Sequence, residues 1–377
     1  MTARSSGAII NIVGSILAIV VALLIGAIVI IASGHNPWEA YQALFEGALG
    51  TRRGRAETLV YSAPLLLGGL AFAVAARAGM FNIGIEGQLI VGGFAAALIG
   101  ATDIGVPGPI HMAIAIVAAF LAGGIWGFIP GILRATTGAH EVITTIMFNY
   151  LAIRMITYLI QKRSDWLPVD PQIQGTHKVL PDARLPILLD ATRLHAGVVI
   201  AAGAAIVIWI LLFKTTFGFK LRTVGLSEGA SRYGGIRWGM TLALAMGIAG
   251  GLAGLAGAGE SLGLHGRHSS SPPGLGFTAI AVGLVGRNHP IGVIFSAVLF
   301  GMLSAGSPSM QASSGVSKEI VLVLQGLVIL AVAAFEAINR MPFIRKLVTP
   351  ARPGQGDRAS EIGMSPEIEP RPSPPVL

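Results

Sequence analysis

The sequence contains no cysteine, which excludes a disulfide framework, thiolate metal sites and thiol catalysis and leaves the redox compartment open. Charge is scarce as well. Only 12% of the 377 residues are charged, against about a quarter in a soluble domain, and 53% are hydrophobic. A soluble globular protein is thereby excluded. No Gly-Lys dipeptide occurs, so the phosphate-cradling loop that ends in Gly-Lys-Ser/Thr is missing, and any ATP-driven role needs a separate subunit. Neither metal-ligand spacing nor a nucleophile–base set is present. His265 and His268 have no third ligand spaced nearby, so no metal site, no cofactor and no embedded enzyme are expected. The net charge of +8 reads as Lys and Arg held on cytoplasmic loops near anionic lipid rather than as a surface for nucleic acid.

What the chain has is long uncharged runs. Residues 7–33 carry no charge, exceeding the roughly 20 residues that cross a bilayer core and the roughly 7–15 of a signal-peptide core, so this segment is expected to stay as an anchor. Further runs lie at 58–76, 87–102, 107–133, 142–153 with an extension past Arg154 to 160, 196–213, 238–259, 268–286, 288–317 and 320–335. The expected fold is an all-α polytopic transmembrane helix bundle of about ten spans. Gly and Pro interrupt the run between Ser261 and Gly286, where a half-helix or re-entrant segment is as good a reading as a full span. With Arg4 inside, alternate loops place Arg77, Arg134, the group from Lys214 to Arg237, Arg287 and Arg340 on the same side, which puts both ends in the cytoplasm. Residues 1–348 form the membrane domain. The Pro- and Ser-rich stretch 349–377 is expected to be a disordered cytoplasmic tail.

Outside the bilayer, residues 35–57 carry Trp38, Tyr41, Leu44 and Phe45 at helical spacing and read as an amphipathic helix on the outer surface. Residues 161–195 form an outer loop. Gly247, Gly250, Gly251, Gly254, Gly257 and Gly259 give small-residue spacing suited to close helix packing, or to a thin helix that lines a passage.

Three motifs stand out. Asn82, Glu86 and Gln88 lie between two apolar runs, among Gly79, Gly84 and Gly87, which suits a break between half-helices facing a cavity; a cytoplasmic turn with a solvated Glu is the alternative. Glu141, Thr145 and Asn149 recur every fourth residue and share one helix face, either along a pathway or as glue to a neighbouring helix. The longest inner loop joins a basic lead-in and a Gly turn to Ser227–Tyr233, a stretch able to form about two turns of surface helix that a partner could grip. Gln325 lies within the last span and is placed to bond across helices.

Residues 78–88, 141–150, 217–236, 274–282 and 286–292 together resemble the permease subunits of bacterial ABC importers. The similarity is to the nucleoside and simple-sugar branch, related to ribose and branched-chain amino acid permeases. It covers nearly the whole chain except the Pro-rich tail, and His289 departs from the residue many relatives carry. The resemblance implies an inner-membrane location and these partners: a second homologous permease, an ABC ATPase, and an extracytoplasmic substrate-binding lipoprotein. It makes Leu221, Arg222, Gly225, Glu228, Ala230, Arg232 and Tyr233 the segment that couples to the ATPase. It also makes Asn82, Glu86, Gln88, Glu141, Thr145 and Asn149 candidates for the translocation pathway. Selectivity would reside largely in the external binding protein. An ion-coupled carrier acting alone is the rival; it would usually need ionisable residues near mid-membrane, whereas Glu86, Glu141 and Glu260 fall near the expected span ends.

Overall fold

The structure, a computed structural model, describes residues 2–162, 167–269 and 274–340. The stretch 349–377 lies outside them. The chain divides into a unit Met1–Ala333, treated below, and a unit Ala334–Leu377 that contains the last described turns of the final helix.

The helices are α1 (Thr2–Ala32), α2 (Pro37–Phe45), α3 (Arg52–Arg77), α4 (Ile85–Ala101), α5 (Gly108–Thr137), α6 (Glu141–Gln161), α7 (Gly197–Lys214), α8 (Thr216–Leu226), α9 (Glu228–Tyr233), α10 (Trp238–Ala258), α11 (Leu275–Val285), α12 (Pro290–Ser314) and α13 (Glu319–Arg340). The fold is all-α and polytopic. The named strands among the described residues are β1 (Val169–Asp170) and β2 (Gly175–Thr176), an antiparallel pair in the loop between α6 and α7; Gly175 also bridges to Ser269. Six helical segments are long and apolar enough to cross a membrane: α3, α5, α6, α7, Trp238–Leu264 and α12.

Local chemistry sets the boundaries. Thr51 caps α3, its Oγ1 accepting from Gly54 N at 2.9 Å, and α5 ends at Gly138 with φ +69°, a conformation that suits glycine. Pro290 occupies the first turn of α12, where a missing N–H costs nothing. The Thr51 cap corrects the reading of residues 35–57 as one surface helix. α2 runs on through a π-helical stretch, Glu46–Gly50, and then stops, so Arg52, Arg53 and Arg55 belong to the first turns of spanning helix α3. The apolar face of α2 also divides. Ala40 and Leu44 are buried, whereas Trp38 stands 76% exposed.

α3 and α10 form the centre of the bundle: 83% and 72% of their apolar windows are buried, against 22% for α5. The glycines of α10 make its contact with α5. A Cβ on Gly254 would lie 3.3 Å from Gly123 Cα and would collide with Ala119 O; one on Gly250 would lie 3.0 Å from Gly127 Cα. Backbones this close gain dispersion contacts that no larger residue permits, which is how helices associate in lipid without a hydrophobic driving force between them. Gln325 Nε2 donates to Ser304 Oγ at 3.2 Å, joining α13 to α12 across the interface expected for it.

Candidate functional site

The link from α3 to α4, residues 78–84, is not helical. Its polar residues gather with α6 and with the start of α11. Asn82 and Gln88 pair amide to amide, Asn82 Nδ2 donating to Gln88 Oε1 at 3.0 Å and Gln88 Nε2 donating to Asn82 Oδ1 at 3.2 Å. Asn82 Oδ1 also accepts from Gly84 N at 2.9 Å. From α6, Asn149 accepts from Gly87 N at 2.8 Å and donates to Ile83 O at 2.9 Å, closing both ends of the first turn of α4. Thr145 packs beside this turn: a Cβ on Gly84 would lie 3.2 Å from Thr145 Cβ. Its hydroxyl donates back to Glu141 O at 2.7 Å, one turn earlier on α6.

Glu86 is 1% exposed, and its carboxylate crosses to another part of the chain. Oε1 accepts from Gly274 N at 2.8 Å and Oε2 from Gly276 N at 2.6 Å, so Glu86 caps α11 from outside. The carboxylate meets two otherwise unpaired N–H groups and the positive end of a helix dipole, which offset the several kcal/mol that burying an unpaired charge would cost. A Cβ on Gly276 would lie 2.5 Å from Glu86 Cα, so glycine there is a condition of this approach.

The far end of α11 is tied to the end of α3, where Arg77 Nε donates to Asn288 O at 2.9 Å. Eleven helical residues at 1.5 Å each put Glu86 about 16 Å along the axis from the far end of α11. Within the run 268–286, α11 is 11 residues long, shorter than the roughly 20 that cross a bilayer core.

Five of the six pathway candidates converge here; Glu141 does not. It lies at the α5–α6 corner, 3.5 Å from Arg134 Nε. The donors Gly274 N and Gly276 N escaped sequence reasoning. Their signal was a helix start written as two glycines after a proline pair, which names no distant acceptor.

The coupling candidates form a second group. The basic lead-in is helix α8, set off from α7 by Thr215, whose Oγ1 accepts from Gly218 N at 3.0 Å. α9 follows as expected, Ser227 Oγ capping Ala230 N at 3.3 Å and Glu228 pairing with Arg232 at 2.8 Å. Leu221 is fully buried, whereas Leu226 and Tyr233 are 88% and 98% exposed at the tip, and Ala230 is exposed between them. Gly225 touches the α3 exit so closely that a Cβ would lie 2.9 Å from Gly79 N and would collide with Arg77 O. The tip therefore adjoins, through backbone contact, the link that carries Asn82 and leads into Glu86 on α4.

Comparison with known proteins decides the family. Residues 54–333 match the model for the branched-chain amino acid transport system / permease component. The chain belongs to this family. It is an integral membrane permease component, which moves a solute and does not transform it. Among its relatives are the guanosine ABC transporter permease protein NupP of Bacillus subtilis (41% identical; 86% of this chain, 93% of the relative) and the nucleoside ABC transporter permease protein NupB of Lactococcus lactis (38%; 84% and 89%). The glucose ABC transporter permease protein TsgB13 of Haloferax volcanii is 31% identical (86% and 88%). The matched residues 54–333 include both the buried cluster and the coupling group.

Proposed function

We propose that this permease is one of two homologous subunits of an ATP-driven importer of nucleosides or related sugars, working with an ABC ATPase and an extracytoplasmic substrate-binding lipoprotein. The chain crosses the membrane about ten times, with both ends and the α8–α9 loop on the cytoplasmic side. ATPase closure pulls on residues 221–233, rocks the bundle, and alternates access to a passage formed with the second permease. Asn82, Glu86, Gln88, Thr145 and Asn149 hold the wall of that passage at the helix break. Glu141 and Arg134 close the corner beside it. Selectivity lies largely with the binding protein, and no chemistry takes place on the chain.

The observation that carries this reading is the contact of Gly225 with Arg77 and Gly79. It gives an exposed loop tip a direct mechanical route to the helix break at 78–84, which an ATP-coupled permease needs and a carrier acting alone does not. The solute class is supported by the nucleoside and glucose relatives.

The deciding experiment is uptake of radiolabelled guanosine and glucose in cells with the gene deleted and restored, with and without ATP depletion. The reading expects ATP-dependent nucleoside uptake to disappear and return. Loss of glucose uptake alone would move the substrate to the sugar branch, and uptake insensitive to ATP would establish the ion-coupled carrier instead.

A further inference from the structure

At the junction of α3, α7, α8 and α12, cations converge on one aromatic ring. The guanidinium carbon of Arg77 lies 5.6 Å from the Phe213 centroid and that of Arg222 lies 5.3 Å from it. The His289 ring is centred 5.1 Å from the same ring. Its Nδ1 accepts from Ile291 N at 3.3 Å, so the neutral ring carries its proton on Nε2 as a donor.

Among the described residues, no carboxylate lies within ion-pairing distance of Arg77 or Arg222. Arg77 Nε is directed to Asn288 O, and Arg222 Nη1 to Leu212 O. Each guanidinium has five N–H donors, so most remain for another acceptor. Two half-buried like charges beside one ring repel, and the quadrupole of Phe213 offsets only part of that.

The surroundings place this cluster at a lipid boundary. Along α7, Val199, Ile206 and Val207 are 60%, 62% and 59% exposed, an apolar stripe of the kind that faces acyl chains. The stripe continues to Ile210, and beside it stands Trp209, over which Lys214 Nζ sits at 5.6 Å, matching the aromatic and basic anchors found at headgroup level. Basic pockets between helix ends at this level suit phosphate headgroups.

We infer that Arg77, Arg222 and His289 bind the phosphate of an anionic phospholipid headgroup, whose acyl chains lie along α7. The bound phosphate bridges α3 to α8 beside the Gly225–Gly79 contact and relieves the repulsion that otherwise pushes the coupling loop away. This inference rests on the membrane reading but not on the identity of the solute.

The test is lipid retention by the assembled transporter, purified from mixed phosphatidylglycerol and phosphatidylcholine nanodiscs and read by native mass spectrometry, which needs no uptake. Arg77→Gln with Arg222→Gln should weaken phosphatidylglycerol retention about fivefold for each cation removed. The Lys versions of both positions should keep most of it, and Arg53→Gln, at the other end of α3, should keep all of it. Equal losses in the Gln and Lys variants would mean a disturbed fold rather than a lost charge and would overturn the inference. Unchanged retention in the Gln pair would overturn it too. Displacement of the lipid by excess inorganic phosphate at the same concentration as free headgroup would show an anion site open to solution and overturn the lipid assignment.

Discussion

Glu86 Oε2 and Gly276 N, 190 residues apart in the chain, lie 2.6 Å apart in space. This bond and its neighbour to Gly274 hold the short helix α11 against the start of α4. Removing the carboxylate leaves two N–H groups without their acceptor, that of buried Gly276 and that of Gly274 at the exposed start of α11. Glu86→Ala should lower stability by about 2–4 kcal/mol, since each orphaned donor costs about 1–3 kcal/mol and charged acceptors bind more strongly than neutral ones. Glu86→Gln keeps one acceptor and should fall between. Thermal unfolding of the purified transporter would measure this; equal stability of wild type and Glu86→Ala would mean the cap does not hold α11.

Gly225→Val tests the proposed coupling route. Its side chain cannot be placed without moving Arg77 O or Gly79 N, so α8 must back away from the α3 exit. The protein should still enter the membrane, because Gly225 is exposed and lies outside the spanning helices. ATP hydrolysis by the assembled transporter should persist while uptake falls by more than tenfold. Uptake at the wild-type rate would refute the route.

The α5–α10 seam should tolerate nothing larger than glycine at its centre. Gly250→Val forces branched carbon against Gly123 O and Gly127 Cα, an overpacking cost of about 1–3 kcal/mol or more, with loss of close dispersion contacts. Reduced membrane-inserted yield and earlier thermal unfolding are expected. Gly203→Ala on α7, where nothing lies within 4 Å, is the control that should behave as wild type.

His195 makes stability depend on pH. It is 3% exposed just before α7, its Nδ1 accepting from Gly197 N at 3.2 Å, and burial holds its pKa below the ordinary value of 6.5. As pH falls through 6.5, the unfolded chain takes up a proton that the folded chain refuses, so stability drops with acidification and is unaffected above that value. His195→Asn should flatten unfolding curves measured between pH 7 and pH 5. A slope unchanged in the variant would assign the pH dependence elsewhere.

Much of this could be read directly in the residues. Uncharged runs about as long as a bilayer is thick dictate spanning helices, because unpaired backbone groups are too costly in hydrocarbon, and the observed helices coincide with those runs to within a few residues apart from the two places noted above. The short helix at Ser227–Tyr233 was equally legible, since a serine cap acts within four residues. Glycine spacing in α10 announced close approach and left the partner open between a neighbouring helix and a passage. Where the local code was weak, it misled: the Thr51 cap ended a pattern that periodicity alone would have extended to residue 57.

Local physics, which acts over one or two turns, thus determined the class of protein, its long apolar helices and the serine cap at Ser227 from the sequence alone. Only the tertiary structure decided which donors meet Glu86, that Glu141 turns away to Arg134, and that Gly225 touches Gly79. These are choices among many chemically equivalent partners, and the bundle makes them by bringing distant segments within hydrogen-bond reach.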